Sequence, residues 1–326
     1  MRKGENFYVV DVTQADKPFD LARQKLLADG VVALRGLYSA EMVEKCLDGV
    51  RKIMSRPALL GATGYYRKGH NKRLYDALLL GSPVPEMVLD ERVLDVVSAT
   101  VGAECWLAEC FLKHDEGNNE LYFPMHSDFA PGHPKMITDE RMKTPFAIGA
   151  MLYTHDTTTG AFCYAIGSQN SSGAHGTALA RYPRDIQDSV TASLVRIEGK
   201  AGDLVLFDDR GFHAPEQPVT VPRTVIILDY YDRTAFDAMT KTPLPVLATD
   251  LGRLSRRQIE WLGMGAKGVM LPYERYHVHG FYTQRHYKVL SHMVDWMQRI
   301  DVLRSRVKKL AQKFNLISTR QPGYEE

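Results

Sequence analysis

The chain has 326 residues and four cysteines, Cys46, Cys105, Cys110 and Cys163, none of them in a C-x-x-C pair. Its start, "MRKGENFYVV", lacks the long apolar stretch that follows the charged end of a signal peptide. Together these absences lead to the expectation of a reducing, cytoplasmic compartment. No stretch approaches the roughly 20 apolar residues that a membrane helix requires, so no transmembrane span is expected. A formal charge of +2, with no Lys/Arg run interleaved with aromatics, gives no reason to expect a nucleic-acid partner. Internal repeats and low-complexity tracts are also lacking.

What is present is an ordinary globular composition, 44% hydrophobic and 25% charged, in a chain long enough for a sizeable core. From about 18 to 60 the pattern is helical. "PFDLARQKLLADG" ends on a glycine, "VVALRG" reads as a short strand, and "SAEMVEKCLDGVRKIM" opens with Ser39 as N-cap. Residues 61–82 are glycine-rich, basic and aromatic at their start, which reads as a loop over a ligand. Its Arg67, Lys68, Lys72 and Arg73 hint at an anionic substrate. Between about 103 and 232 short β-like runs alternate with turn residues, which favours an antiparallel sandwich or barrel over a parallel α/β sheet. After 252 the chain returns to helix. The expected organisation is therefore a helical flank with a substrate-side loop (1–102), a β core (103–235) and a helical extension (236–326), forming one integrated domain.

The extension carries one apolar stripe, Met293, Trp296, Ile300, Leu303, Val307, Leu310 and Phe314, at alternating steps of three and four. Residues 285–313 hold eight Lys/Arg against two Asp. Docking on the chain's own domain, a homo-oligomer seam and contact with an anionic membrane surface all fit that pattern.

Chemistry concentrates in the β segment. "FPMHSDFAPGH" sets His126 and Asp128 two apart, between a strand-like run and a Pro/Gly turn. Taken alone, the pair reads as a loop histidine beside a turn aspartate. With 11 His and 39 Asp plus Glu, chance supplies roughly one such pair, and His114 with Glu116 is a rival. Further on, "GDLVLFDDRGFHAPEQPVTVPRTVIILDYY" gives a strand, a turn, His213 and a second strand opening on Arg223. Alternation puts Arg223 on the face of Val225 and Ile227, and a buried arginine needs a carboxylate partner. His126, Asp128 and His213 supply two imidazoles and one carboxylate, the facial set that holds Fe(II) and leaves coordination positions open. Arg223 would then take the distal carboxylate of a chelating keto acid as a bidentate pair.

In these motifs the chain resembles the phytanoyl-CoA dioxygenase family of Fe(II)/2-oxoglutarate oxygenases. "HSD" fits that family's His-x-Asp, "GAFCYAIGSQN" its hairpin, and "GDLVLFDDRGFH" its strand leading to the distal histidine. The resemblance implies a mainly β fold with flanking helices around a double-stranded β-helix, the cupin-like jelly roll. It also implies His126, Asp128 and His213 as catalytic iron ligands and Arg223 as the 2-oxoglutarate anchor. Lys113 and Tyr164 fall on strands that often line the cofactor site, although a strand lysine is usually solvated and a strand tyrosine usually packs. Where family members often carry a small hydroxyl residue, two positions after the distal histidine, this chain has Pro215, so Thr220 or Thr224 would have to supply that bond. The hairpin ends in Gln169 where the family has histidine.

The implied reaction uses O2 and 2-oxoglutarate to hydroxylate an unactivated C–H bond of a small-molecule or conjugated substrate, releasing succinate and CO2. In the related halogenases the carboxylate position is a small residue, so Asp128 implies oxygen rather than chlorine transfer. A cupin-like metalloenzyme of non-oxidative chemistry and a non-catalytic binding module of the same fold remain alternatives. Loops at 61–82, 129–145 and 168–190 set specificity in such a fold and carry no readable code for the substrate.

Overall fold

Burial along the strand that opens on Arg223 alternates on either side of the buried pair Val225 and Ile226, and this strand lies inside the largest sheet. In this computed structural model the described residues are 8–54, 65–68, 71–74, 77–115, 117, 124–128, 143–157, 159–170, 178–233, 244, 246–263 and 281–282, together with 296, 300, 303, 307, 310 and 311. In chain order the main strands are β1 (Val9–Asp11), β2 (Val31–Arg35), β3 (Tyr65–Lys68), β4 (Asn71–Leu74), β5 (Cys105–Asp115), β6 (Ala147–Tyr153), β7 (Phe162–Ala165), β8 (Leu194–Ile197), β9 (Leu204–Asp208), β10 (His213–Pro215) and β11 (Arg223–Asp232).

Eight of them form one sheet in the order β1-β2-β9-β6-β11-β5-β4-β3, and β10-β7-β8 form a second. Apart from the parallel β1–β2 pair, every pairing in the two sheets is antiparallel. This is the double-stranded β-helix that the resemblance implied. The large sheet reaches into the segment before 103: β1 and β2 pair onto β9, and the β3–β4 hairpin pairs onto β5. Part of the stretch 61–82 is therefore an antiparallel hairpin rather than a loop, because its Tyr and Leu residues have a sheet edge to pair with.

Two apolar layers follow from the strand period. One face of the large sheet packs on the small sheet through Met151, Tyr153, Phe162, Val205, Phe207 and Val225. The other face carries Cys110, Leu112, Ile148, Ile226 and Leu228, and helices cover it. Each such side chain contributes about 2 kcal/mol on burial. The covering helices are α1 (Pro18–Asp29), α2 (Ala40–Met54), α3 (Val84–Val88) and α4 (Glu91–Val101). Their ends match their sequences. Pro18 opens α1, and Gly30, at φ 81°, closes it by donating to Leu26 O. Ser39 Oγ accepts from Met42 N at the start of α2, and Asp90 caps α4.

All four cysteines are buried and free, and burial pushes the Cys46 and Cys163 thiols up to about 12. Among the described residues no helix is long and apolar enough to cross a membrane. In the C-terminal stripe, Trp296, Leu303, Val307 and Leu310 are helical and exposed. The chain's own core does not cover those four; Met293 and Phe314 lie outside the described residues.

Candidate active site

The residues His126 to Asp128 lie as an edge against the turn and strand at 209–213. His126 N donates to His213 O (3.1 Å), His213 N to His126 O (2.8 Å), and Asp128 N to Asp209 O (3.1 Å). Residues two apart on such an edge point the same way, so His126 and Asp128 share a side and His213 faces His126 across the pair. Ser127, between them, is buried on the other side, its hydroxyl donating to Arg210 O (2.9 Å). The turn holds its shape through a buried bidentate pair between Arg210 and Asp208, with Nε to Oδ1 at 2.9 Å. Gly211 lets this backbone pass directly over Tyr164, whose hydroxyl oxygen would lie 1.9 Å from a Cβ there.

The two histidines are fixed in one tautomer by what their other nitrogen touches. His126 Nδ1 lies 2.8 Å from Pro124 O, and His213 Nδ1 lies 3.1 Å from Gly211 O. A carbonyl can only accept, so each Nδ1 carries the proton and each Nε2 keeps its lone pair. Both Nε2 atoms turn to one carboxylate, at 3.4 Å to Asp128 Oδ1 and 3.3 Å to Asp128 Oδ2. One donor atom from each residue lies within 4.8 Å of the others. Three inward lone-pair donors with outward-tied imidazoles fit a divalent metal of the two-histidine, one-carboxylate type.

These residues line a cavity of about 320 Å³ between the sheets. Phe162 and Phe207 pack on the His213 ring, with centroids 5.7 and 4.7 Å away. The cavity's polar groups divide by sign. At one end are Arg223, Lys113 and Arg73. Arg223 is 3% exposed, donates Nε to Asp115 Oδ2 (2.8 Å), and donates Nη1 to Gly160 O. Lys113 Nζ lies 3.4 Å from the same Asp115 oxygen. Burial, opposed by Asp115, pulls the Lys113 ammonium down to about 8. Arg73, opposite Lys113 in the β4–β5 register, stacks over Phe111 at 5.0 Å. At the other end are Glu109, Asp229 and Tyr231. Burial, then repulsion by Glu109 and Asp128, hold the Asp229 carboxyl well above the usual range. Asp209 is raised in the same direction by burial and by Asp229, with the Gly149 N–H opposing.

Three expectations from the sequence are corrected. Tyr164 does not reach the cavity: it is fully buried and its hydroxyl donates to Asp208 O (3.1 Å). Thr224 is one residue out of phase with Arg223, so it faces away and pairs with His114 Nδ1 at 2.9 Å. Among the described residues His114 belongs to no group that could hold a metal ion; Glu116 lies outside the described residues. Thr220 is exposed and lines no part of the cavity, whereas Pro215 does. Gln169 packs by α1, its Nε2 3.5 Å from Ala28 O.

Sequence reasoning missed Asp115, Glu109, Asp229 and Tyr231. The alternation that placed Arg223, Val225 and Ile227 on one face runs on to Asp229 and Tyr231, and would have found both.

The Phytanoyl-CoA dioxygenase (PhyH) family model matches residues 26–220, more than half of the chain, ending just before Arg223. Among curated proteins nothing matches. The solved structures it resembles include the 2-oxoglutarate-dependent carbocyclase SnoK from nogalamycin biosynthesis, at 16% identity and TM-score 0.53, over 74% of this chain and 92% of that one. Another is EctD from S. alaskensis with 2-oxoglutarate and 5-hydroxyectoine, at 20% identity and TM-score 0.52, over 65% and 76%. EctD with bound Fe aligns at 22% identity and TM-score 0.51 over the same shares. These likenesses support the jelly-roll fold, and the motif match supplies the rest: the chain belongs to the phytanoyl-CoA dioxygenase family, whose members work with Fe(II) and 2-oxoglutarate.

Proposed function

We propose that the chain is an Fe(II)/2-oxoglutarate-dependent hydroxylase of a small-molecule or conjugated substrate. The observation that carries this reading is that two imidazoles, each tied back through Nδ1, turn Nε2 onto one carboxylate inside a cavity that also holds a buried arginine. His126, Asp128 and His213 would hold the iron, which when bound supplies the oxidising chemistry that couples 2-oxoglutarate decarboxylation to C–H oxidation. Arg223 and Lys113 take the distal carboxylate of 2-oxoglutarate. Both cations lie against the Asp115 carboxylate, which holds them at this end of the cavity. Asp115 occupies the Nε edge of Arg223, so the incoming carboxylate does not meet that edge as a side-on fork. Phe162 and Phe207 exclude water from the His213 side.

The direct test is turnover with Fe(II), O2, 2-oxoglutarate and a panel of candidate substrates. Succinate should form in step with a product heavier by one oxygen atom. Succinate with an isomerised or ring-closed product would retain the family and remove the hydroxylase reading; no 2-oxoglutarate turnover with any substrate would remove both.

A pH dependence follows from Lys113. Its ammonium is charged below about 8 and neutral above, so its attraction for the cosubstrate carboxylate is present below that pH and lost as pH rises through it. The KM for 2-oxoglutarate should increase several-fold between pH 7 and pH 9, and Lys113→Met should flatten that profile. A flat profile in the native protein would take Lys113 out of the site.

A further inference from the structure

We propose that the C-terminal helix carrying Trp296, Leu303, Val307 and Leu310 lies in the plane of an anionic lipid surface and docks the protein there.

The sequence sets apolar residues at steps of three and four from Met293 to Phe314, the period of one helix face. Residues 296, 300, 303, 307, 310 and 311 are helical, and the stripe stands in the open. Trp296 is 67% exposed, Leu303 62%, Val307 57% and Leu310 54%, with Ile300 half-buried. Elsewhere among the described residues the exposed large hydrophobic side chains are Leu27 and Val221, far apart in the chain. Single apolar residues are ordinary on a protein surface, whereas a contiguous row marks a contact surface. From Trp296 to Leu310 the row extends about 21 Å at helical rise.

What covers the row is decided by its borders. Read as heptads, Trp296, Leu303 and Leu310 take position d, and Ile300, Val307 and Phe314 take position a. The neighbouring e and g positions are then Met297, Arg304, Ala311, Arg299, Arg306 and Lys313, which include four cations and no carboxylate. In a pair of copies these positions meet each other in either orientation. A seam between two copies would therefore set cation against cation, where paired coils place opposite charges. The same borders suit a plane of negative charge, which attracts basic residues on both sides of an apolar stripe at once. Asp301, the one acidic residue between Trp296 and Phe314, takes position b, off the stripe and its borders.

Two further features fit a lipid surface. Tryptophan at one end of the row combines an apolar ring with a polar N–H, which suits the boundary between lipid tails and water. Charged residues recur in every turn from Arg299 to Lys313, so the helix would lie along the surface and not across it.

The test uses the full-length protein with vesicles of phosphatidylcholine alone and of an equimolar mixture with phosphatidylserine, read by co-sedimentation and tryptophan emission. Emission reports on this helix, because of the chain's three tryptophans Trp106 and Trp261 are buried and Trp296 is exposed. With the mixed vesicles the protein should sediment and its emission should shift to the blue. With phosphatidylcholine alone it should do neither, and salt should reverse the binding. Leu303→Asp with Val307→Asp, and separately Arg304→Glu with Arg306→Glu, should each weaken binding tenfold or more while the melting temperature stays unchanged. Trp296→Phe should still sediment but lose the emission shift. Equal binding to both kinds of vesicle, binding to neither, or indifference to both pairs of substitutions would overturn the inference. So would a dimer, seen by light scattering without lipid, that Leu303→Asp with Val307→Asp takes apart, since that would give the stripe to a second copy.

Discussion

Replacing His213 with alanine should abolish tight Fe(II) binding and all 2-oxoglutarate turnover. The imidazole supplies one of three inward donors, and its Nε2 lies 3.3 Å from Asp128 Oδ2. Loss of an outer-sphere partner alone costs a metal site roughly 10–100-fold in affinity, so loss of a direct donor should exceed that range. His126→Ala should behave alike. Asp128→Gly should differ in kind: both imidazoles remain tied back through Nδ1, so some metal stays while hydroxylation falls to a small fraction. Equilibrium dialysis of Fe(II), or of Mn(II) as a stable substitute, reads the first effect, and succinate release reads the second. With excess chloride the native protein should give no chlorinated product. A chlorinated main product, or full hydroxylation by Asp128→Gly, would mean that Asp128 is not the third ligand.

Arg223→Leu should raise the dissociation constant for 2-oxoglutarate by roughly a hundredfold, on the order of 2–3 kcal/mol for a buried charge-assisted contact. Metal binding should persist, because the triad takes no hydrogen bond from Arg223. The substitution also removes one of the two cations that lie against Asp115. Arg223→Lys keeps the charge but cannot reach Asp115 and Gly160 O together, and should lie between the two. Calorimetry of 2-oxoglutarate binding to the metal-loaded protein measures all three, and an unaltered affinity in Arg223→Leu would remove it from the cosubstrate site.

The correct and incorrect sequence expectations separate by the kind of interaction each one needed. The strand alternation from Arg223 to Ile227 was legible because burial has a period of two whatever the strand packs against, and it placed Arg223 in the cavity. The same rule shows why Thr224 failed: a residue one step out of phase faces the opposite side, and there it meets His114. Tyr164 failed for another reason. It occupies a cavity-facing strand, yet the backbone at Gly211 closes over it and takes its hydroxyl into the core. No local pattern announces a close approach between segments that are 47 residues apart in the chain.

By itself the sequence determined the strand-rich core, the helix ends at Pro18, Gly30 and Ser39, the spacing that puts His126 and Asp128 on one side, and the cationic character of the strand that begins at Arg223. Those features depend on backbone periodicity and on local capping, which neighbouring residues suffice to specify. Only the tertiary structure decided what lies opposite each of them. It gave Arg223 its carboxylate in Asp115, brought Arg73 to the same end of the cavity through the β3–β4 hairpin, and used a single extra residue at Ala108 to turn Glu109 inward beside Asp229. Pairing register between strands far apart in the chain is set by the packing of two whole apolar layers, and a shift of one residue moves every side chain to the other face. The sign of the charge at each end of the cavity is for that reason a property of the folded sheet and not of any segment within it.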